Sequence, residues 1–291
     1  MIRLSPAIIA AMMPGIAMAQ VATAPSIPAA IYTDPTPDPA HPAGMTVLHV
    51  PSGGVEINGI AYTPTGAGPH PVLVIAHGLP GNEKNLDLAQ AVRRDGWIAV
   101  TFNYRGSWGS AGSFRFAHNP EDAAAVIAWL RNPANAASIG ADPNRIAIVG
   151  HSMGGWVTAK TLAHDSKLLG AALISAADLG AIGKAPRAVL LKLADDNHES
   201  LAATRDEMAD ELIANGGSFA LIQDAPALAK RRLFVLTSDD GLAPGMDALV
   251  AAIRKAGGTG VTTLHVATDH GWSDHRIALE AAVIDWLATL R

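Results

Sequence analysis

Arg145-Ile146-Ala147-Ile148-Val149-Gly150-His151-Ser152-Met153-Gly154-Gly155-Trp156 is the stretch from which the rest of the chain can be read. Arg145–Val149 has the apolar, β-branched composition of a buried strand, and Trp156–Ala163 reads as a helix leading away from it. Between them lies G-x-S-x-G, followed by a further glycine. A serine on such a tight strand–helix turn takes a strained backbone conformation that exposes its hydroxyl. The flanking glycines suit that turn because a side chain at Gly150 or Gly154 would crowd it. The helix N-terminus behind Ser152 directs amide groups and positive dipole toward developing negative charge. The segment therefore predicts Ser152 as a nucleophile on an α/β scaffold.

Working outward, strand-like runs recur at Thr46–Val50, Val55–Tyr62, Val72–Ala76, Trp97–Asn103, Ala171–Ser175, Leu233–Thr237 and Val261–Ala267. Helical periodicity separates most of them. Glu121–Arg131 places Val126, Ile127 and Leu130 on one face, with Asn119 expected as its N-cap and Pro120 at the first helical position. Gly245–Ala256 and Asp274–Leu290 are amphipathic in the same way. Apolar strands alternating with amphipathic helices predict one α/β domain over 45–291, its mostly parallel sheet of about eight strands covered on both faces. The first two runs, joined through Pro51-Ser52-Gly53-Gly54, predict an antiparallel hairpin. The segment between the Ala171 and Leu233 runs is longer than one crossover requires, and 177–231 is expected to form a small helical cap. In it Glu199–Ala214 and Pro226–Lys230 read as helices. Its acids, Asp195, Asp196, Glu199, Asp206, Glu207, Asp210 and Glu211, read as a solvated helix face, with selection of cationic substrates as the alternative.

A serine hydroxyl needs a base, and the base needs an orienting carboxylate. The order Ser…Asp…His belongs with this elbow. Asp239-Asp240 follows the strand Leu233–Thr237, and His270 follows the strand beginning at Val261. Both positions are at carboxyl ends of strands, where open α/β sheets gather their sites. His265 lies within a strand and His275 begins a helix, so His270 is the expected base, with either aspartate as its partner.

With these residues in view, the chain resembles a secreted bacterial serine hydrolase of the α/β-hydrolase superfamily, on the dienelactone-hydrolase and prolyl-oligopeptidase-like branch. The resemblance runs from about Val72 to the C-terminus. Besides the elbow it rests on His77-Gly78-Leu79-Pro80-Gly81, Asn103-Tyr104-Arg105-Gly106-Ser107, Asp240-Gly241-Leu242-Ala243-Pro244 and Asp269-His270-Gly271-Trp272. It implies an oxyanion hole from the backbone amides of Leu79 and Met153. In that family the acid typically precedes a proline by four residues, so the resemblance, with Pro244 here, implies Asp240 rather than Asp239. Thr237 and Asp269 stand where the family often has glycine. The chain contains no cysteine, so the cysteine nucleophile of true dienelactone hydrolases is absent. His77 is expected to brace the oxyanion loop, and Arg105 to organise its own loop or reach the substrate pocket. Trp108, Phe114, Phe116 and Trp272 are expected as aromatic pocket walls.

Composition narrows the function further. The chain has 291 residues, 49% apolar and 16% charged, enough to bury a large core. The absence of cysteine removes disulfides and thiolate metal sites. A net charge of −5 gives no basic surplus for nucleic acid. There is no H-E-x-x-H, no G-x-G-x-x-G opening a helix and no P-loop, so neither a metal nor another cofactor is expected. Met1–Ala19 reads as a signal peptide cleaved before Gln20, implying export to the periplasm or medium with no stable membrane span. The prolines of 20–44 predict an extended tether. The expected function is hydrolysis of small to medium carboxylic esters through an acyl-enzyme. Amide or peptide cleavage, and a non-catalytic binding module, are the alternatives.

Overall fold

Eight strands form one sheet in the order β1-β2-β4-β3-β5-β6-β7-β8. In chain order they are β1 (Gly44–Ser52), β2 (Val55–Thr63), β3 (His70–Ala76), β4 (Ile98–Phe102), β5 (Ala141–His151), β6 (Ala171–Ile174), β7 (Leu233–Thr237) and β8 (Val261–His265). The helices are α1 (Leu86–Arg94), α2 (His118–Arg131), α3 (Pro133–Ser138), α4 (Met153–His164), α5 (Leu179–Ile182), α6 (Arg187–Asp195), α7 (Arg205–Asn215), α8 (Ala225–Leu228), α9 (Ala243–Lys255) and α10 (Arg276–Ala288). The computed structural model describes residues 27–290; the expected signal peptide and its cleavage point lie outside the described residues. Among the described residues no helix is long and apolar enough to cross a membrane.

β1 and β2 pair antiparallel, β2 pairs antiparallel with β4, and every other pairing is parallel. Because side chains alternate along a strand, β3 sends Val72, Val74 and Ala76 to one face and Leu73 and Ile75 to the other. β5 divides Ile146 and Ile148 from Ala147 and Val149 in the same way. The first face is covered by α2, α4 and α9, the second by α1 and α10. Apolar strands without polar alternation are thus the consequence of two covered faces.

Three local expectations are corrected. Asn119 is not the cap of α2: the helix starts at His118, and Asn119 lies buried in its first turn, its Nδ2 donating to Met153 Sδ at 3.4 Å. The amides of Phe116 and Ala117 instead donate to the Glu211 carboxylate of α7 at 3.0 and 2.8 Å. An acid from a distant element serves the positive end of α2, so no local cap is needed. In the insertion between β6 and β7, residues 199–203 are not helical. Leu201 bridges Ser107, and the Ala202 amide donates to the Gly106 carbonyl at 2.7 Å, so this piece runs extended along the loop after β4. Helix α7 begins only after Thr204, whose hydroxyl and Glu207 form a capping box. Helix α6, missed by the sequence reading, packs with α7. The described part of the proline-rich segment, read as a tether, is tied to the body: Ala29–Ile31 forms a 3-10 turn, and Arg94 donates to the carbonyls of Ala30 and Ile31.

Arg105 knots the hairpin, the β4 loop and α2 together. Its Nε donates to Asp122 at 2.6 Å and its backbone amide to the other Asp122 oxygen at 2.8 Å. Asp122 is wholly buried and also accepts from the Ser52 hydroxyl at 2.5 Å. Removing the cation leaves a buried carboxylate short of its partner, the costly way to break such a pair. Arg105→Met is therefore expected to lower unfolding free energy by about 3–5 kcal/mol in urea; a loss below about 1 kcal/mol would contradict this role.

Candidate active site

Ser152 joins β5 to α4 with φ 58° and ψ −122°, a left-handed conformation rare for a residue with a side chain. Its amide donates to the Ile174 carbonyl at 2.9 Å, and its carbonyl accepts from Ala177 at 3.0 Å, so the end of β6 holds the strained turn. A Cβ on Gly150 would collide with the Gly154 carbonyl, and one on Gly154 with the Ala76 carbonyl. Both glycines are needed for close backbone approach at the turn. Met153 is the first residue of α4. Gly78, after β3, lies so close that a Cβ there would be 3.0 Å from the Ser152 Cβ, which brings the Gly78-Leu79 segment beside the serine.

Of the two acids left open by the sequence, Asp240 is the one in contact with His270, its Oδ2 2.7 Å from Nδ1. A carboxylate only accepts, so the imidazole proton sits on Nδ1 and the lone pair of the neutral ring on Nε2. Burial opposes ionisation of Asp240, but bonds from His270, the Leu242 amide and Ser238 outweigh it and hold the carboxyl below its usual range. Asp239 lies elsewhere: it is exposed and pairs with His265 at 3.1 Å.

Two buried histidines flank the site. His151, the residue before Ser152, donates through Nε2 to the His270 carbonyl at 2.8 Å, and the two rings lie 4.6 Å apart. The sequence reading gave His151 no role; its signal was only its place as the x of G-x-S-x-G. His77 donates through Nδ1 to the Gly78 carbonyl at 2.7 Å, bracing the loop after β3, while its own carbonyl accepts from the Tyr104 hydroxyl at 3.0 Å.

The expected pocket residues separate. Trp108 is 39% exposed, donates to the Pro80 carbonyl at 2.7 Å and carries Lys84 Nζ 4.6 Å over its ring, so it stands at the rim of the loop after β3. Phe114 is buried edge-on against Phe116 in the core and offers no open wall. Trp272 is also fully buried, its indole donating to Ser175 Oγ at 3.0 Å. Arg105 is committed to Asp122 and Glu121 and has no reach to a substrate. A groove of about 690 Å³ between β8 and α10, lined by Leu264, Val266, Ile277 and Ala281, contains none of the site residues. The strained serine and the His270–Asp240 pair, rather than that groove, define the candidate site.

Fold and site together define an α/β-hydrolase of the serine type. Residues 53–208 match the family model of the X-Pro dipeptidyl-peptidases (S15 family), and the chain belongs to that family. An uncharacterized protein of Mycobacterium tuberculosis is 27% identical over 202 residues, 68% of this chain and 69% of that one. The acylaminoacyl peptidase of Pyrococcus horikoshii superposes with a TM-score of 0.65 at 18% identity, covering 84% of this chain but 41% of the peptidase. The Pyrococcus furiosus esterase Pf2001 gives a TM-score of 0.61 at 14% identity, covering 85% and 90%.

Burial pushes both His77 and His151 down to about 4, with the neighbouring His270 adding to the effect on His151. Folded pKa values below the unfolded value mean that only the unfolded chain takes up these protons as pH falls from about 6.5 to about 4. Their stabilisation is complete above that window and lost through it, each with a limiting slope of about 1.4 kcal/mol per pH unit. Urea unfolding across this range is expected to show the fall, and His151→Gln to reduce its slope. A wild-type slope unchanged in His151→Gln would contradict a neutral buried His151.

Proposed function

We propose that the protein hydrolyses small to medium carboxylic esters through an acyl-enzyme formed on Ser152. His270 Nε2 takes the hydroxyl proton as Ser152 Oγ attacks the ester carbonyl. Asp240 holds the ring in the required tautomer and stabilises the imidazolium. The amides of Leu79 and Met153, with the N-terminal dipole of α4, receive the oxyanion. His270 then returns the proton to the departing alcohol. In the second half it activates water, which releases the carboxylic acid and regenerates the serine. The observation that carries this reading is the conjunction of a left-handed Ser152 at a helix N-terminus, Gly78 against its Cβ, and a tautomer-locked His270.

Peptide cleavage is the second reading, favoured by the family match and by the likeness to an acylaminoacyl peptidase. A peptidase that selects a free N-terminus needs an acid available to the substrate ammonium. In the insertion five of the acids are already engaged. Asp206 and Asp210 pair with Arg187, Glu207 with Arg115 and Asp196 with Lys192, while Glu211 accepts the amides of Phe116 and Ala117 just before α2. This favours neutral esters over N-terminal ammonium substrates.

Kinetics with p-nitrophenyl esters of rising acyl length, run beside aminoacyl anilides, is expected to favour the esters. Faster turnover of the anilides would establish the peptidase reading. Ser152→Ala is expected to remain folded and lose at least about a thousandfold in kcat/KM. Asp240→Asn should lose about 10³- to 10⁴-fold, as in other triads given the wrong tautomer, and Asp239→Asn less than about threefold. A larger loss in Asp239→Asn would transfer the role of acid to Asp239.

A further inference from the structure

We propose that Trp272, Ser175 and Ser238 form a one-way hydrogen-bond relay that ends on the Asp240 carboxylate and makes these three residues positioning residues for the His270 base. The proposal rests on the reading of Ser152, Asp240 and His270 as the triad and adds residues behind it.

The direction of the relay follows from donor and acceptor chemistry alone. An indole N–H can only donate, so in the 3.0 Å contact from Trp272 Nε1 the Ser175 Oγ accepts. At the other end an ionised Asp240 can only accept, so the single hydrogen of the Ser238 hydroxyl goes to that carboxylate. In the 2.7 Å contact between Ser175 and Ser238 the hydrogen must therefore come from Ser175. Each hydroxyl gives once and accepts once; reversing the serine–serine link would take the Ser238 hydrogen away from Asp240 and leave that carboxylate with only His270 and the Leu242 amide as donors. All three residues are buried: Trp272 and both serines are at most 1% exposed, so water does not replace a lost partner cheaply.

The relay also closes a ring through the chain. Trp272 stands two residues after His270, and Asp240 two residues after Ser238. The loop that carries the base is thereby anchored to the network that ends on the acid holding that base. Ser175 and Trp272 both have left-handed backbones, φ 43° and 58°, which β-sheet residues and ordinary loops avoid. Such conformations persist where surrounding bonds over-determine them. Here the bonds are the relay itself, the Ser175 amide to the Leu236 carbonyl at 2.8 Å, and the Trp272 amide to the Asp269 carbonyl at 3.1 Å. Burying an indole only to fill space would not require its N–H to meet a serine in contact with a second serine on the acid.

The consequence is electrostatic as well as geometric. A carboxylate with one donor fewer is more basic and holds both its own proton and a facing imidazolium more tightly. The titratable groups around Asp240 are His270, His151 behind it, and Asp239 beside it in the chain with its partner His265; Arg276 acts on His151. No residue of the relay ionises in the range where such an enzyme works, so its loss acts through Asp240.

The test is the pH profile of kcat and KM for an ester substrate, from about pH 5 to about pH 9, in the full chain and in Ser238→Ala and Trp272→Phe. Ser238→Ala is expected to move the acid limb up by about half to one pH unit and to cut kcat at neutral pH about tenfold, with KM within about twofold. Trp272→Phe, which removes a hydrogen bond to Ser175 rather than one to a triad residue, should move the limb in the same direction by a smaller amount. Should Ser238→Ala fail to fold, Ser238→Cys keeps the volume with a weaker donor and carries the same expectation. Acid limbs at the wild-type pH in both variants, with rate lost only in proportion to folded protein, would overturn the relay. Failure of the triad reading has a different signature, ester hydrolysis retained in Ser152→Ala.

Discussion

The turn between β5 and α4 is the constraint on which the site depends. Ser152 is held with φ 58° between two glycines whose missing side chains let the carbonyls of Ala76 and Gly154 come close. Strain of this kind costs of order 1–3 kcal/mol and is kept only where neighbours supply more than they lose. The neighbours here are the end of β6, which bonds both the amide and the carbonyl of Ser152, and the parallel pairing of β5 with β3 and β6. The same turn starts α4, so one local conformation exposes the hydroxyl and aims a helix N-terminus at the space beside it.

The remaining parts assemble around that turn because the sheet brings their strand ends together. Gly78-Leu79 follows β3, Asp240 follows β7, and the His270 loop follows β8. Loops alone would leave these residues imprecise, and the structure binds them to one another. His151 holds the His270 carbonyl, His77 the Gly78 carbonyl, and Trp272 reaches through Ser175 toward the acid. Two of these braces are histidines kept neutral by burial, which suits a site whose donors must stay in place while charge develops beside them.

Much of this was legible in the sequence, for identifiable reasons. The central strands were visible because strands covered on both faces are continuously apolar, β1 and β2 because their buried residues alternate, and the elbow because its glycines and serine admit few other structures. Chain order singled out His270, which the structure sets against Asp240. What escaped was set by partners far apart in sequence. Asn119 looks like a cap, yet Glu211, 92 positions onward from it, supplies the acceptors that α2 uses. Residues 199–203 carry helix-compatible types but pair with Ser107 and Gly106. Arg105, Phe114 and Trp272 sit in the right loops for a pocket and turn inward, because a buried Asp122, an aromatic partner and a serine claim them. No local pattern distinguishes an aromatic wall from an aromatic brace.

Ser152 as the activated nucleophile is the proposal on which the other roles at the site depend. The most direct measurement is the intact mass and peptide map of the folded protein after exposure to a fluorophosphonate, beside Ser152→Ala. The account predicts a single phosphonyl adduct on the peptide containing Ser152 and none in the variant. A folded wild-type protein that stays unmodified, or one labelled at another residue, would contradict it.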